Sequence, residues 1–185
     1  MHPNFFNEFN EILFKALNGV DNNDLVKIAV KIKETSAKGN KIIVVGNGGS
    51  AAMASHIAVD LTKAVKCRAV NFNEADLLTC FANDYGYEHW VEKAIEAYAD
   101  KGDLVILISS SGSSKNITKG AQKAKELGLF IVTLSGFKSD NPLRSMGDIN
   151  LWVDSRGYNI VEMAHHIWLV AIVDYIFGKI EYTSN

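Results

Sequence analysis

Hydrophobic residues recur at intervals of three and four along the first part of the chain, which is the spacing of one face of an α-helix. Two such runs cover residues 5–17 and 25–32, with Gly19 between them and Asp21 placed to begin the second helix. The apolar face of an amphipathic helix pair needs a partner, either the rest of the chain or another subunit. We predict that residues 1–38 form a helical extension, and we expect it in a subunit interface.

The hydrophobic period changes after residue 40. Short runs of aliphatic and β-branched residues follow one another, and helical spacing returns between several of them. Continuous apolar strands that alternate with helices are typical of a parallel sheet covered on both faces. The chain is therefore predicted to be one α/β domain over residues 1–185, a three-layer α/β/α sandwich around a five-stranded parallel sheet. The predicted strands are 41–45, 68–72, 103–108, 129–134 and 149–153.

Composition narrows the class of protein. The formal net charge of −2 offers no basic surface, so we expect neither nucleic acid nor a membrane as a partner. Two cysteines cannot form a disulfide scaffold. The first ten residues lack the pattern of a signal peptide, and the apolar run 160–177 contains four polar or charged residues. These features predict a soluble protein of the cytoplasm.

Two loops rich in glycine and serine follow predicted strands. The first is Gly46-Asn-Gly-Gly-Ser50, and the second is Ser109-Ser-Ser-Gly-Ser-Ser114. Ligands of such sheets bind outside the carboxyl ends of the strands. Glycines let the backbone approach an anion, the following helix presents unpaired N–H groups, and serine hydroxyls can donate to phosphate oxygens. Neither loop has the lysine of a P-loop, so the pattern indicates a phosphate ester and not nucleoside triphosphate chemistry.

Two other interpretations of these loops remain open. Gly46, Gly48 and Ala51 fit the G-x-G-x-x-A pattern of dinucleotide-binding proteins, although the acidic residue expected about twenty positions later would be Glu74, which is a little late. Alternatively, both loops are ordinary turns and helix caps. The occurrence of two serine clusters at equivalent strand ends favours the phosphate interpretation.

Several motifs together resemble the sugar isomerase (SIS) family, whose fold is a flavodoxin-like sandwich. They are the first loop followed by His56 and Asp60, the sequence Asn83-Asp-Tyr-Gly86, and the second loop followed by Asn116. The branch that looks closest is the phosphoheptose isomerases, which interconvert sedoheptulose 7-phosphate and a D-glycero-D-manno-heptose 7-phosphate. The resemblance implies a homotetramer with active sites between subunits. It also implies these substrate-binding residues: Asn47, Gly48, Gly49, Ser50, Asp84, Ser109, Ser110, Ser111 and Ser114.

Aldose–ketose interconversion needs groups that move protons between neighbouring carbons. His56 and Asp60 share a helix face at a spacing of four, and Glu162 and His165 share another at a spacing of three. We predict Asp60, Glu162 and His165 as catalytic residues. The same four side chains could bind one divalent metal ion, with zinc as the first candidate. The alternative for each is a buried polar network or an exposed face.

Other polar positions on the last helix are expected outside the site. His166 points about 100° away from His165 around an α-helix, and Tyr158 is expected in the core or at an interface. Asp60 falls where phosphoheptose isomerases have a catalytic and metal-binding glutamate. If one residue is deleted after Tyr158, Glu162 falls on a glutamine of that family and Val170 on its second catalytic histidine; without the deletion that histidine falls on Ala171.

The expected function is isomerisation of a heptose 7-phosphate for surface polysaccharide, either lipopolysaccharide or capsule. Because Val170 replaces an imidazole, a non-catalytic SIS module that binds a protein partner, of the replication-initiator-associating type, is the alternative. An isomerase or lyase that acts on another sugar phosphate is a third possibility.

Overall fold

The five predicted strands are present as β1 (Ile42–Gly46), β2 (Ala69–Val70), β3 (Leu104–Ser109), β4 (Phe130–Ser135) and β5 (Ile149–Trp152). They form one all-parallel sheet in the order β2-β1-β3-β4-β5. The edge strand β2 is shorter than the predicted 68–72, since it pairs only with Ile42 and Ile43 of β1. The computed structural model describes residues 3–181, so residues 1–2 and 182–185 of the predicted domain lie outside the described residues.

Helices cover both faces of the sheet, which gives the three predicted layers. Alternate strand residues point to opposite faces, so Val44 and Ile106 pack in one core while Val45 and Leu107 pack in the other. One face carries α2 (Asn22–Ala37), α3 (Gly49–Lys63) and α7 (Tyr158–Phe177). The other face carries α4 (Ala75–Tyr85), α5 (Trp90–Tyr98) and α6 (Lys115–Glu126). The sequence patterns predicted neither α4 nor α5.

The first helix, α1 (Phe5–Leu17), packs on α7 through Leu13 and Leu17. The indole N–H of Trp168 donates to the carbonyl of Leu17 over 3.2 Å. Large apolar residues of α1 are nevertheless open to solvent, and Phe6 and Phe14 are 75% and 68% exposed. The described chain therefore covers only part of the apolar surface of this helix.

Helix α7 is the core helix of the first layer. It is the only helix within residues 3–181 that is long and apolar enough to cross a membrane by length and composition. Its buried residues, among them Val161, Leu169 and Ile172, pack against the sheet instead. A buried helix of a soluble protein has this composition.

The sheet places the two serine-rich loops side by side. From β1 the chain crosses to β2 on one side, and from β3 it continues to β4 on the other, so the strand order reverses between β1 and β3. Such a switch point opens a crevice at the carboxyl ends of the strands. The loop after β1 leads into α3, and the loop after β3 leads into α6.

Candidate active site

The first loop turns sharply to begin α3. Gly48 adopts a φ of +54°, a region that residues with a Cβ rarely adopt. The side chain of Ser50 is buried in the first turn of α3. The first N–H groups of a helix have no partner within it and carry its positive dipole end. The loop therefore presents backbone donors and a hydroxyl to an anion in the crevice.

Side-chain amides tie the two loops together. The amide of Asn47 donates to Oδ1 of Asn116 over 3.0 Å, and the amide of Asn116 donates back to Oδ1 of Asn47 over 2.8 Å. The phenol of Tyr87 also donates to Asn47, over 3.2 Å. Within the second loop, the hydroxyl of Ser109 donates to that of Ser114 over 3.0 Å. These hydrogen bonds hold the two loops against each other.

A cavity of about 120 Å³ lies between the loops and the start of α7. Most of the predicted substrate-binding residues line it, and the glycines 48 and 49 belong to the loop that forms its wall. Its lining consists of Asn47, Ser50, Ile108, Ser109, Ser110, Ser111, Ser114, Tyr158 and Glu162.

Glu162 brings a carboxylate to the edge of this cavity. The hydroxyl of Ser110 lies 3.4 Å from Oε1 of Glu162 and donates to it. On its other side the carboxylate packs against Gly49, where an added Cβ would collide with it. A side chain at position 49 would therefore displace the Glu162 carboxylate from its present place. The predicted catalytic residue Glu162 therefore borders the phosphate loops.

His56 and Asp60 meet on the outer part of the same helix pair. Nε2 of His56 lies 3.1 Å from Oδ2 of Asp60, and Nδ1 of His56 lies 2.8 Å from Nε2 of His166. Burial lowers the pKa of His166, and the neighbouring imidazole of His56 lowers it further. The side chain of His56 is 51% exposed, so this group is open to solvent. His166, which was expected outside the site, thus contacts the predicted site residue His56.

The structure does not bring His165 to this group. Its side chain is fully buried, and Nε2 lies 3.0 Å from the carbonyl oxygen of Ser135 at the end of β4. Burial lowers the pKa of His165 to about 4, against the opposing effect of that carbonyl. Three residues along an α-helix leave a 60° rotation, which here turns His165 from the edge of α7 into the core. His165 is thus placed as a neutral core residue.

The four predicted metal ligands do not converge within one protomer. Glu162 borders the serine loops, His165 is buried against β4, and His56 lies with Asp60. Over residues 3–181, no three His, Cys, Asp or Glu side chains are grouped so that they could hold one metal ion. The described geometry of one protomer therefore does not fit the predicted set of zinc ligands.

A family model matches this chain directly. The model described as the SIS domain covers residues 4–136, which include both serine-rich loops. The chain belongs to the SIS domain family. Among curated relatives, a probable phosphoheptose isomerase of Thermoplasma acidophilum is 38% identical over 148 residues, 76% of this chain and 80% of that protein. A phosphoheptose isomerase of Fusobacterium nucleatum is 34% identical over 80% of this chain and 78% of its own length.

Solved structures extend the SIS domain match to the C-terminal helix. Phosphoheptose isomerase GmhA from Neisseria gonorrhoeae superimposes with a TM-score of 0.85 at 27% identity, covering 93% of this chain and 95% of that one. A more distant match, the Vibrio vulnificus NanR protein complexed with ManNAc-6P, has a TM-score of 0.69 at 19% identity, over 90% of this chain and 58% of that one. The second likeness shows the fold alone.

Asp84 is the one predicted substrate-binding residue of the SIS domain that lies apart from the cavity. It is exposed on α4, where it accepts hydrogen bonds from the amide of Asn83 and the thiol of Cys80. The charge of Asp84 is the main cause of the raised pKa of Cys80. Its role toward substrate stays a prediction.

Sequence reasoning missed four residues of this site. Asn116 stood in the resemblance motif without an assigned role, and its amide pairs the loops. His166 lies four residues after Glu162, a spacing that places both on one face and could have identified it. Tyr158 lines the cavity, with its ring 4.9 Å from that of Phe137, and Tyr87 reaches Asn47. No sequence pattern indicated a place in the site for either tyrosine.

Proposed function

We propose that this chain is a phosphosugar isomerase that interconverts sedoheptulose 7-phosphate and D-glycero-D-manno-heptose 7-phosphate. The observation that carries the proposal is the continuity of two surfaces: the serine-rich phosphate loops meet, at Glu162, a row of proton-transfer groups between α3 and α7. The relatives named phosphoheptose isomerase support the substrate. The product would supply surface polysaccharide synthesis in the cytoplasm.

The loops supply the binding energy for the phosphate. The hydroxyls of Ser50, Ser109 and Ser111 line the cavity, and two helices begin at its wall. Hydrogen bonds to a charged group contribute about 1.5–3 kcal/mol each, so a few such donors hold a phosphate ester firmly. The remainder of the sugar then extends past Glu162 along α3 and α7.

Two carboxylates, which lie at different distances from the phosphate loops, serve the chemistry. Glu162 lies closest to the phosphate loops and can accept hydrogen bonds from sugar hydroxyls. Asp60 lies farther along α3, against His56. Of the predicted catalytic residues, these two have carboxylates near the path of the sugar. His165 has no role in this proposal, since it is buried.

A second copy of the chain completes the pocket in this proposal. The cavity of about 120 Å³ is smaller than the 300–1,000 Å³ typical of ligand sites. Asp84 and several large apolar residues of α1 are exposed. We propose the homotetramer that the sequence resemblance predicts. A bound zinc ion also stays a prediction, which elemental analysis after metal-replete expression and re-addition tests.

The experiment incubates the purified protein with sedoheptulose 7-phosphate and follows an aldoheptose phosphate by NMR. A paired comparison tests the phosphate loop. Ser111→Asp places a negative charge in the cavity, while Ser113→Asp places it on the exposed part of the same loop. We expect turnover by the wild type and Ser113→Asp, and a KM at least tenfold higher for Ser111→Asp. Equal KM values would place the phosphate elsewhere.

The alternative is a non-catalytic SIS module that binds a protein partner. Its support is Val170, which the resemblance places at a catalytic histidine of phosphoheptose isomerases and whose partly buried side chain packs against the core. Absence of turnover on every ketose phosphate, together with tight capture of one identified protein, would favour this function over the isomerase.

A further inference from the structure

A second cavity lies beside the first half of α4, and we call it the α4 cavity. Its volume of about 710 Å³ falls within the roughly 300–1,000 Å³ that is typical of small-molecule sites. Helix α4 buries none of its residues completely, and the edge strand β2 is only two residues long. The space between α4, the end of β2 and the end of α5 is therefore not filled by side chains of the described chain.

The α4 cavity is separate from the candidate active site. Lys41, just before β1, lines the α4 cavity, whereas Asn47, just after β1, lines the cavity between the serine loops. Five residues of extended strand lead from Lys41 to Gly46, a rise of about 16 Å. No residue lines both cavities. A ligand in the α4 cavity would therefore not occupy the phosphate site.

The walls of the α4 cavity are mostly apolar and include three aromatic rings. Phe72 follows β2, Phe81 lies on α4, and Tyr98 is the last residue of α5. The rings of Phe72 and Tyr98 are 5.7 Å apart, and Tyr98 is 51% exposed. Apolar walls favour the hydrocarbon part of a ligand, and the negative faces of aromatic rings attract a cation.

The charged groups of the α4 cavity leave an excess of negative charge. The only cationic side chain in its lining, Lys41, is already paired, since its Nζ lies 2.6 Å from Oδ2 of Asp100 and 2.5 Å from Oδ2 of Asp103. Glu74 and Asp76 also line the cavity, at the start of α4. Their carboxylates form no ion pair and no side-chain hydrogen bond among residues 3–181. These two negative charges are therefore available to a ligand.

The pKa of Cys80 agrees with this excess. Its thiol lines the α4 cavity. The charge of Asp84 is the main cause of the raised pKa of Cys80, and the charge of Asp76 adds to it. Surroundings that disfavour a thiolate on this face of α4 favour a bound cation there.

We propose that the α4 cavity binds an organic cation, an ammonium group carried on an aromatic or aliphatic body. The body packs against the walls, and the ammonium lies against the ring faces and the carboxylates of Glu74 and Asp76. An anionic ligand does not fit, because Lys41 has its partners and the two free carboxylates repel it. The proposal is independent of the isomerase function, since the two cavities share no residue.

The experiment compares three probes that share one skeleton and differ in charge: 3-phenylpropylamine, 3-phenyl-1-propanol and 3-phenylpropanoate. Ligand-observed NMR titration measures their affinities for the wild-type protein. Cation–π contacts and ion pairs with exposed carboxylates should together make the amine bind about tenfold more tightly than the alcohol. The carboxylate should bind most weakly. A rise in NaCl from about 0.05 to about 0.5 M should weaken binding of the amine and leave that of the alcohol nearly unchanged.

Two variants locate the bound cation. The double variant Glu74→Gln and Asp76→Asn keeps the size of both side chains but removes their charge, so the affinity of the amine should fall to within about threefold of that of the alcohol. Tyr98→Leu, at an exposed position, keeps an apolar wall without a ring face and should weaken the amine more than the alcohol. Asp140→Asn, an exposed carboxylate on the loop after β4, is the matched control and should bind all three probes as the wild type does.

Tighter binding of the amine that both variants weaken supports the proposal. Equal binding of amine and alcohol would show a merely apolar cavity, and tightest binding of the carboxylate would show that Lys41 governs it; either result overturns the proposal. Tight binding of the amine that neither variant changes would place the cation elsewhere and overturns it too. Absence of binding by all three probes also overturns it, and a lower oligomeric state of Tyr98→Leu in sedimentation would then identify a second copy of the chain as the occupant.

Discussion

His165 and His166 are neighbours in the chain, yet α7 turns one toward the sheet and the other toward α3. His165 is fully buried, with one ring nitrogen on the carbonyl of Ser135 and Nδ1 without a partner among the described residues. His166 is partly exposed and contacts His56. On the core side of α7 the imidazole is neutral and buried, while on the side that faces α3 it is partly open to solvent.

The difference shows that position around a helix decides chemistry more than residue type does. A step of one residue rotates the side chain by about 100° and exchanges a low-dielectric interior for a hydrated groove. Burial lowers the pKa of His165 to about 4, which keeps it uncharged at neutral pH. The predictions below ask whether stability belongs to one side of α7 and catalysis to the other.

The largest expected effect on kcat is between α3 and α7, at Asp60. Asp60→Asn removes the carboxylate that we propose for proton transfer and that lies 3.1 Å from Nε2 of His56. We expect kcat to fall by about 10²–10⁴-fold while KM changes little. Steady-state kinetics beside Asp24→Asn, a surface variant that loses only the ion pair with Lys27, measures this. An unchanged kcat would show that Asp60 takes no part in proton transfer.

The contribution of His165, on the core side of α7, is tested through the pH dependence of stability. The unfolded chain takes up a proton on His165 near the ordinary pKa of 6.5, and the folded chain only near 4. Stability is therefore complete above pH 6.5 and falls as the pH drops toward 4, by a contribution on the order of 3 kcal/mol. Denaturant titrations at several pH values should show this loss, and His165→Gln should flatten it. The His166→Gln variant should keep most of this pH dependence of stability. If both variants flattened it equally, the two histidines would not differ in the way described here.

The close contact between the helices is tested by Gly49→Ala. An added Cβ would collide with the Glu162 carboxylate and push it from the cavity. Displacement of a reacting group by about 1 Å can cost about 10²-fold in rate, so kcat should fall by that order. Gly157→Ala, where the nearest atom is 3.4 Å from the added Cβ, is the matched control. Similar activities for the two variants would show that Glu162 need not stay in place.

The smallest effect belongs to the phosphate loops, which bind without taking part in the chemistry. Ser114→Ala removes a cavity hydroxyl and the partner of Ser109, and no cap hydrogen bond of α6 is lost with it. We expect KM to rise about tenfold with kcat within about twofold, since one hydrogen bond to a charged group is lost. Ser113→Ala should leave both parameters unchanged. A fall in kcat alone would move Ser114 from binding to catalysis.

Much of the fold was predictable because its strands are continuous apolar runs. The strands β1, β3, β4 and β5 begin within one residue of their predicted starts, since a buried strand needs aliphatic residues on both faces. Helix α4 was not predicted, and none of its residues is fully buried. Helix α5 does bury Trp90 and Val91, but it is a short element.

The site was predictable where it depends on the backbone and not where it depends on side-chain direction. Serines and glycines at the ends of β1 and β3 indicated the phosphate cavity, because adjacent parallel strands must bring their following loops together. The choice between His165 and His166 depends on how α7 is rotated against the sheet. That rotation follows from the packing of Val161, Leu169 and Ile172, which a helical spacing alone does not specify.

The central claim is that the pocket binds the phosphate at the serine loops and reacts with the other end of the sugar. The most direct test compares ketose phosphates of different length. The wild-type kcat/KM is measured for a heptulose 7-phosphate, a hexulose 6-phosphate and a pentulose 5-phosphate. Each carbon removed draws C1 and C2 back by about 1.2 Å from Asp60, so kcat/KM should fall at least about tenfold per carbon. A pentulose 5-phosphate turned over as well as the heptulose, or no turnover of any of the three, would contradict an isomerase that holds phosphate at the serine loops and reacts farther along α3 and α7, beside Asp60.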